Sequence, residues 1–174
     1  MVWRIFGLMD MAYRIRSPGR KFQRTLYEAF EDVVRALRKH EVPFMVHGAW
    51  ALAAYGFERA TIDVDFLVPG DAEAVERVFA LMKKLKAVPT SPGPQSATQA
   101  IARGSRHIQF NLLGWTVDFF FDREFAALRR RAKRKKFGDQ VVYVISPGDL
   151  KSRKRARGTD QDLVDIKRLE SAEE

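Results

Sequence analysis

The chain has 174 residues, 46% of them hydrophobic, which predicts one domain with a real core. It contains no Cys, so disulfides and thiolate metal sites are excluded, and this suits a protein of the reducing cytoplasm. The formal charge is +9 with a pI near 10.0. That charge is concentrated in "RRRAKRKK" (residues 129–136) and "KSRKRAR" (residues 151–157), where it would draw phosphates, including those of nucleic acid.

The opening "MVWRIFGLMDMAY" is apolar but broken by Arg4 and Asp10, far short of the roughly 20 apolar residues that a membrane helix needs. No small-residue cleavage site follows it, so residues 1–19 read as an extension tied onto the body, with no membrane partner. "SPGR" marks a turn, after which Phe22, Leu26, Phe30, Val33, Val34 and Leu37 recur at helical spacing to a stop near His40. Val42–Val46 reads as a short buried strand, and Gly48 opens a small-residue helix that stops at Gly56. Thr61–Val68 is the next strand, and Pro69-Gly70-Asp71 starts a helix with Val75, Val78, Phe79, Met82 and Leu85 on its apolar face.

Val88–Ser96 reads as a Pro-rich loop, and Arg106–Asp122 as two strands that turn at Gly114. A basic helix over Arg123–Arg134 leads to a strand over Gln140–Ile145. Ser146 then caps a helix with Pro147 at its first position, and residues 146–174 form a C-terminal helical segment broken near Gly158. The expected fold class is α/β or α+β, with a small mixed sheet flanked by helices.

Asp63 and Asp65 lie inside an apolar strand. Residues two apart in a strand face the same side, at roughly 6–7 Å between Cα atoms, while Ile62, Val64 and Phe66 face the core. Asp118 sits in a second apolar strand, "TVDFFF". Three such carboxylates repel one another unless they pair with Arg and Lys or bind a cation. Mg²⁺ or Mn²⁺ resolves the conflict, because hard cations take carboxylate and phosphate oxygens together. Gly48-Ala49, between a strand and a helix, would let a phosphate approach the backbone N–H groups. A carboxylate pair beside a phosphate cradle assembles the parts of a phosphoryl or nucleotidyl transfer site. His47 and Trp50 read as structural residues.

These residues resemble the DNA polymerase β-type nucleotidyltransferase superfamily, whose pattern is Gly-Gly or Gly-Ser at a helix start, Asp-x-Asp on the next strand and a third carboxylate on a later one. A more specific likeness is to the bacterial minimal nucleotidyltransferases and the abortive-infection type nucleotidyltransferase toxins, through Gly48, Ala51, Gly56, Arg59, Thr61, Asp63, Asp65 and Val68. Asp149, Leu150, Lys154, Gly158, Asp162, Asp165 and Ile166 resemble their closing helices. Ala49 and Thr159 depart from the pattern, where Gly or Ser and an Arg are usual.

The resemblance implies a small mixed sheet of the nucleotidyltransferase type and Mg²⁺-dependent transfer of an NMP from an NTP to an acceptor hydroxyl. Asp63, Asp65 and Asp118 would be the metal ligands and catalytic residues, and Gly48, Ala49, Arg59 and Lys154 would meet the nucleotide. Arg59 is expected to neutralise phosphate or to brace the Asp pair. The acceptor is left open among RNA (a tRNA end included), a protein and a small molecule, with an antitoxin or other partner protein implied. The other class to weigh is a non-catalytic nucleic-acid-binding or toxin–antitoxin regulatory module of the same fold, although a binder of polyanions gains nothing from three aspartates in its pocket.

Overall fold

The computed structural model describes residues 25–57 and 59–171; the N-terminal extension predicted at 1–19 lies outside them. Helix α1 (Leu26–Lys39) begins at Thr25, whose hydroxyl and backbone N–H form a reciprocal capping box with Glu28. Of the apolar spacing read from the sequence, Leu26, Phe30, Val33, Val34 and Leu37 are almost wholly covered, and Phe22 lies outside the described residues. Strand β1 (Met45–Val46) leads into helix α2 (Gly48–Ala54), and strand β2 (Asp63–Pro69) into helix α3 (Ala72–Lys84), capped by Asp71. Strand β3 (Val88–Pro89) and helix α4 (Ala97–Ala102) precede the hairpin β4 (His107–Leu112) and β5 (Trp115–Asp122). Helix α5 (Phe125–Arg131), strands β6 (Lys133–Phe137) and β7 (Gln140–Val144), and helices α6 (Pro147–Arg157) and α7 (Asp160–Glu170) complete the described chain.

The seven strands form one mixed sheet in the order β3-β4-β5-β2-β1-β7-β6. The pairs β2/β5 and β1/β7 are parallel and the other four antiparallel. The fold class is therefore the expected α+β arrangement of a mixed sheet flanked by helices. An aromatic stack forms the core: Phe30 lies 4.5 Å from Trp50 and 6.0 Å from Phe66, and Phe66 lies 5.6 Å from Phe119. Because strand side chains alternate, this Phe66 core sends Asp63 and Asp65 to the opposite face of the sheet. Trp50 is a core residue, as read from the sequence.

Four local expectations are corrected. The Pro-rich loop contributes a short strand, Val88–Pro89, that pairs with β4, and helix α4 follows it unforeseen. The basic helix stops at Arg131, and Lys133–Phe137 is an edge strand; its amphipathic signal is weak because five consecutive positions are four cations and one Phe. Ile62 precedes β2 and is 46% exposed, so the apolar face of that strand starts at Val64. Among the described residues no helix is long and apolar enough to cross a membrane.

Candidate active site

Sheet register builds the carboxylate cluster. Asp65 on β2 is directly opposite Asp118 on β5, with Asp63 two residues away on the same face as Asp65. One carboxylate oxygen from each of the three lies within 4.8 Å of the other two. Adjacent strands about 4.8 Å apart make such a meeting automatic once both Asp residues face one way. The donor set is oxygen only, partly buried and convergent, so it fits a hard divalent cation.

The strand is held firmly at this point. The His47 amide donates to the Asp65 carbonyl at 3.0 Å, and the Trp50 indole N–H to the Asp63 carbonyl at 3.0 Å. The Thr61 hydroxyl donates to Asp63 Oδ1. Gly48 is required for two reasons: its φ is +63°, and a Cβ there would stand 1.7 Å from Asp65 Oδ2. The space that a side chain would fill is thus occupied by the Asp65 carboxylate, which makes no hydrogen bond to any described residue. Ala49 is fully buried behind it.

Asp118 is held differently. Its Oδ1 is 2.5 Å from His107 Nε2 and accepts from Gln109 Nε2 at 3.2 Å, both on β4. The Asp118 Oδ2 has no hydrogen-bond partner among the described residues. His107 stacks on Phe120 at 4.6 Å, and Phe120 also lies 5.6 Å from His47. His107 and Gln109 carried no recognisable signal in the sequence; only the β4/β5 register brings them to Asp118.

The carboxylates share a cavity with a cationic wall. That cavity, of about 160 Å³, is lined by Gly48, Asp63 and Asp65 together with Arg59, Arg153, Lys154 and Arg157. Lys154 is 3% exposed, with Nζ 2.6 Å from Asp165 and 3.3 Å from Asp162. Arg157 forks onto Asp162 with contacts of 2.7 and 2.5 Å, and Arg59 lies 3.9 Å from Asp165. Asp162 and Asp165 are wholly buried, so these two carboxylates hold three of the wall's four cations in place. Thr159, at the departure from the family pattern, caps α7 through Asp162. Arg59 Nε is buried without a hydrogen-bond partner among the described residues, and Arg59 acts electrostatically on Asp65 as well as pairing at long range with Asp165.

Charge and burial set the titration of the site. Asp65 is pushed up to about 7, first by burial and then by Asp63 and Asp118. His47 is pushed down to about 3 by burial, with Arg153, Lys154 and Arg157 adding to it. Its ring is therefore neutral, and both ring nitrogens are shielded from solvent with no partner among the described residues. His47 lines the cavity and packs on Phe120 with its two ring nitrogens unpaired among the described residues, which leaves room for a substrate contact beside its structural role. Hydrogen bonding to Asp118 pulls His107 upward, and the Arg157 fork holds Asp162 well below the usual carboxylate range.

The two basic runs fare differently. In 151–157, Arg153 pairs with Asp122, Lys154 with Asp162 and Asp165, Arg155 with Glu170 and Arg157 with Asp162. That run is a structural and pocket-lining element more than a solvated track. In 129–136, Arg131 pairs with Asp149, Arg129 lies over the Tyr143 ring and Lys135 over Tyr55, while Arg130, Lys133, Arg134 and Lys136 are exposed.

No family model and no curated protein matches the sequence. Solved structures do match the fold. The antibiotic-resistance factor ANT(2'')-Ia superposes with a TM-score of 0.62 at 14% identity, over 82% of this chain and 80% of its own. The lincosamide antibiotic adenylyltransferase LnuA, lincomycin-bound, gives 0.61 at 15% identity over 85% and 98%. An antigenic nucleotidyltransferase-like protein from Paracoccidioides brasiliensis gives 0.53 at 17% over 84% and 74%. The chain therefore has the nucleotidyltransferase fold.

Proposed function

We propose that the protein is a nucleotidyltransferase that moves an NMP from an NTP to an acceptor hydroxyl. The observation that carries this reading is a cavity lined by four cations and by Asp63 and Asp65, two members of the cluster that Asp118 completes. A lone cation needs no Arg wall, and a lone anion needs no carboxylates; a metal–triphosphate needs both. The name of LnuA supports adenylyl transfer, and an ANT(2'')-Ia structure in complex with adenylyl-2''-tobramycin supports a nucleotidylated product.

Asp63, Asp65 and Asp118 would hold Mg²⁺ or Mn²⁺, which when bound supplies charge neutralisation at the α-phosphate and the leaving oxygen. Arg59, Arg153 and Arg157, with Lys154 behind them, receive the phosphates. Gly48 and Ala49 bring the α2 backbone beside them. The acceptor oxygen attacks the α-phosphorus, and a new P–O bond forms as the bond to the bridging oxygen of the β-phosphate breaks. Pyrophosphate leaves with that electron pair, and the hydroxyl proton passes to Asp118 Oδ2, the oxygen that β4 leaves unbound. Catalysis of this kind rests on positioning and electrostatics more than on covalent chemistry. The nucleotide reading and the absence of Cys together support a cytoplasmic enzyme working as a single domain.

The test is thermal: NTP with Mg²⁺ or Mn²⁺ should raise the melting temperature of the wild type, because a ligand of the native state stabilises it by mass action. Asp63→Ala and Asp65→Ala should each abolish the shift, and each labelled NTP supplied with RNA, protein extract or small molecules would reveal the acceptor. A full shift in both Ala variants would overturn the reading.

A further inference from the structure

A second cavity, about 510 Å³, opens beside the carboxylates and shares Phe120 and Arg153 with the first. This volume falls in the range of about 300–1,000 Å³ typical of ligand pockets. It lies between the start of β4, the end of β5 and helix α6, and His107 in its wall touches Asp118. Through the shared Phe120 and Arg153 this cavity adjoins the one lined by Asp63 and Asp65, so it is the natural approach for the group that attacks the NTP.

Its charge is informative. Arg106, Arg123 and Arg153 line it, against Asp122 and Glu124. Asp122 is taken: it pairs with Arg153 and accepts from the Glu124 amide. Arg106 and Arg123 are exposed and form no ion pair among the described residues. Two uncommitted guanidiniums therefore face one uncommitted carboxylate. A polycationic amine acceptor would be repelled from such a mouth. A phosphate fits, because guanidinium groups bind its oxygens in pairs, and Glu124 can accept from a neighbouring hydroxyl.

We propose that this cavity is the acceptor site and that the acceptor is a phosphate-bearing sugar of the kind found at an RNA end or in a free nucleotide, held by Arg106 and Arg123 with its hydroxyl turned to Asp118. This rests on the nucleotidyl-transfer reading above and narrows its acceptor to an anion.

The probe is a short fluorescein-labelled RNA oligonucleotide with a free 3'-hydroxyl, titrated by anisotropy at low salt into the wild type, Arg106→Glu/Arg123→Glu and Arg106→Ala/Arg123→Ala. Both positions are exposed, and the Ala pair serves if the reversal does not fold. Affinity should fall about tenfold or more in either double variant, and the salt slope should flatten by about two phosphate contacts. Displacement by 5'-AMP would assign the site to a small nucleotide, and failure of 5'-AMP to displace the oligonucleotide would assign it to RNA. Unchanged affinity in both double variants, or binding of the polycation tobramycin in place of both phosphate probes, would overturn the proposal. The NTP–metal thermal shift of the wild type reports separately on the transfer reading: its absence would remove that reading without touching the binding result.

Discussion

Replacing Asp65 by Asn should stabilise the metal-free protein at about pH 8. The folded chain raises Asp65 from 3.8 to about 7, through burial and the charges of Asp63 and Asp118. Between those values the folded state keeps a proton that the unfolded chain has released, so stability falls as pH rises through the window and the full cost is present above about 7. At about 1.4 kcal/mol per tenfold in protonation, that separation sets a ceiling of about 4 kcal/mol. The amide retains the shape and the polarity, and burying it without a strong partner costs about 1–3 kcal/mol. A net gain of about 2 kcal/mol remains, which for a chain of this size raises the melting temperature by about 4–8 °C. Urea unfolding in EDTA at about pH 5 and about pH 8 measures it: the gain should appear at the higher pH and largely vanish at the lower, where wild-type Asp65 is already neutral. Asp118→Asn should show no such gain, because His107 and Gln109 already hold its carboxylate. Equal or lower stability of Asp65→Asn at the higher pH would mean that Asp65 is paired rather than repelled, and the metal-site reading would fall with it.

Gly48→Ala should cost about 2 kcal/mol or more, since φ is positive and its Cβ would meet Asp65 Oδ2, whereas Gly56→Ala, with positive φ but open space, should cost about 1 kcal/mol; chemical denaturation of the two variants compares them. Lys154→Met should destabilise by about 3–5 kcal/mol by leaving Asp165 a buried, weakly paired charge, and urea unfolding at neutral pH would detect it. His47 is held near 3 when folded against 6.5 when free, so the unfolded chain takes up the proton first. Its contribution is complete above about 6.5 and is lost as pH falls below that, and His47→Gln should flatten this acid limb by up to about 3 kcal/mol near pH 4 in matched denaturation curves.

The sequence by itself determined much of the local architecture and the identity of the carboxylates. The spacing of Phe30, Val33, Val34 and Leu37, the Ser146-Pro147 start and the Asp-x-Asp strand depend on near neighbours, and near neighbours are what periodicity and capping rules read. Two charges inside an apolar strand are anomalous without any knowledge of the fold, which is why Asp63 and Asp65 stood out. Tertiary structure decided the rest. Asp65 meets Asp118 only because β2 and β5 pair in parallel at one register, and a slip of one residue would turn that carboxylate to the opposite face. His107 and Gln109 reach Asp118 through the hairpin register, and Lys154, an ordinary surface charge by its local sequence, is buried because α7 brings Asp162 and Asp165 across it. The small edge elements, β3 and β6, draw their strand conformation from the ladder they join, so their own side chains carry little trace of it. Which cations stay free to bind phosphate is likewise a question of partners far along the chain. A basic run in a sequence lists charges, and only the packed structure subtracts those already paired.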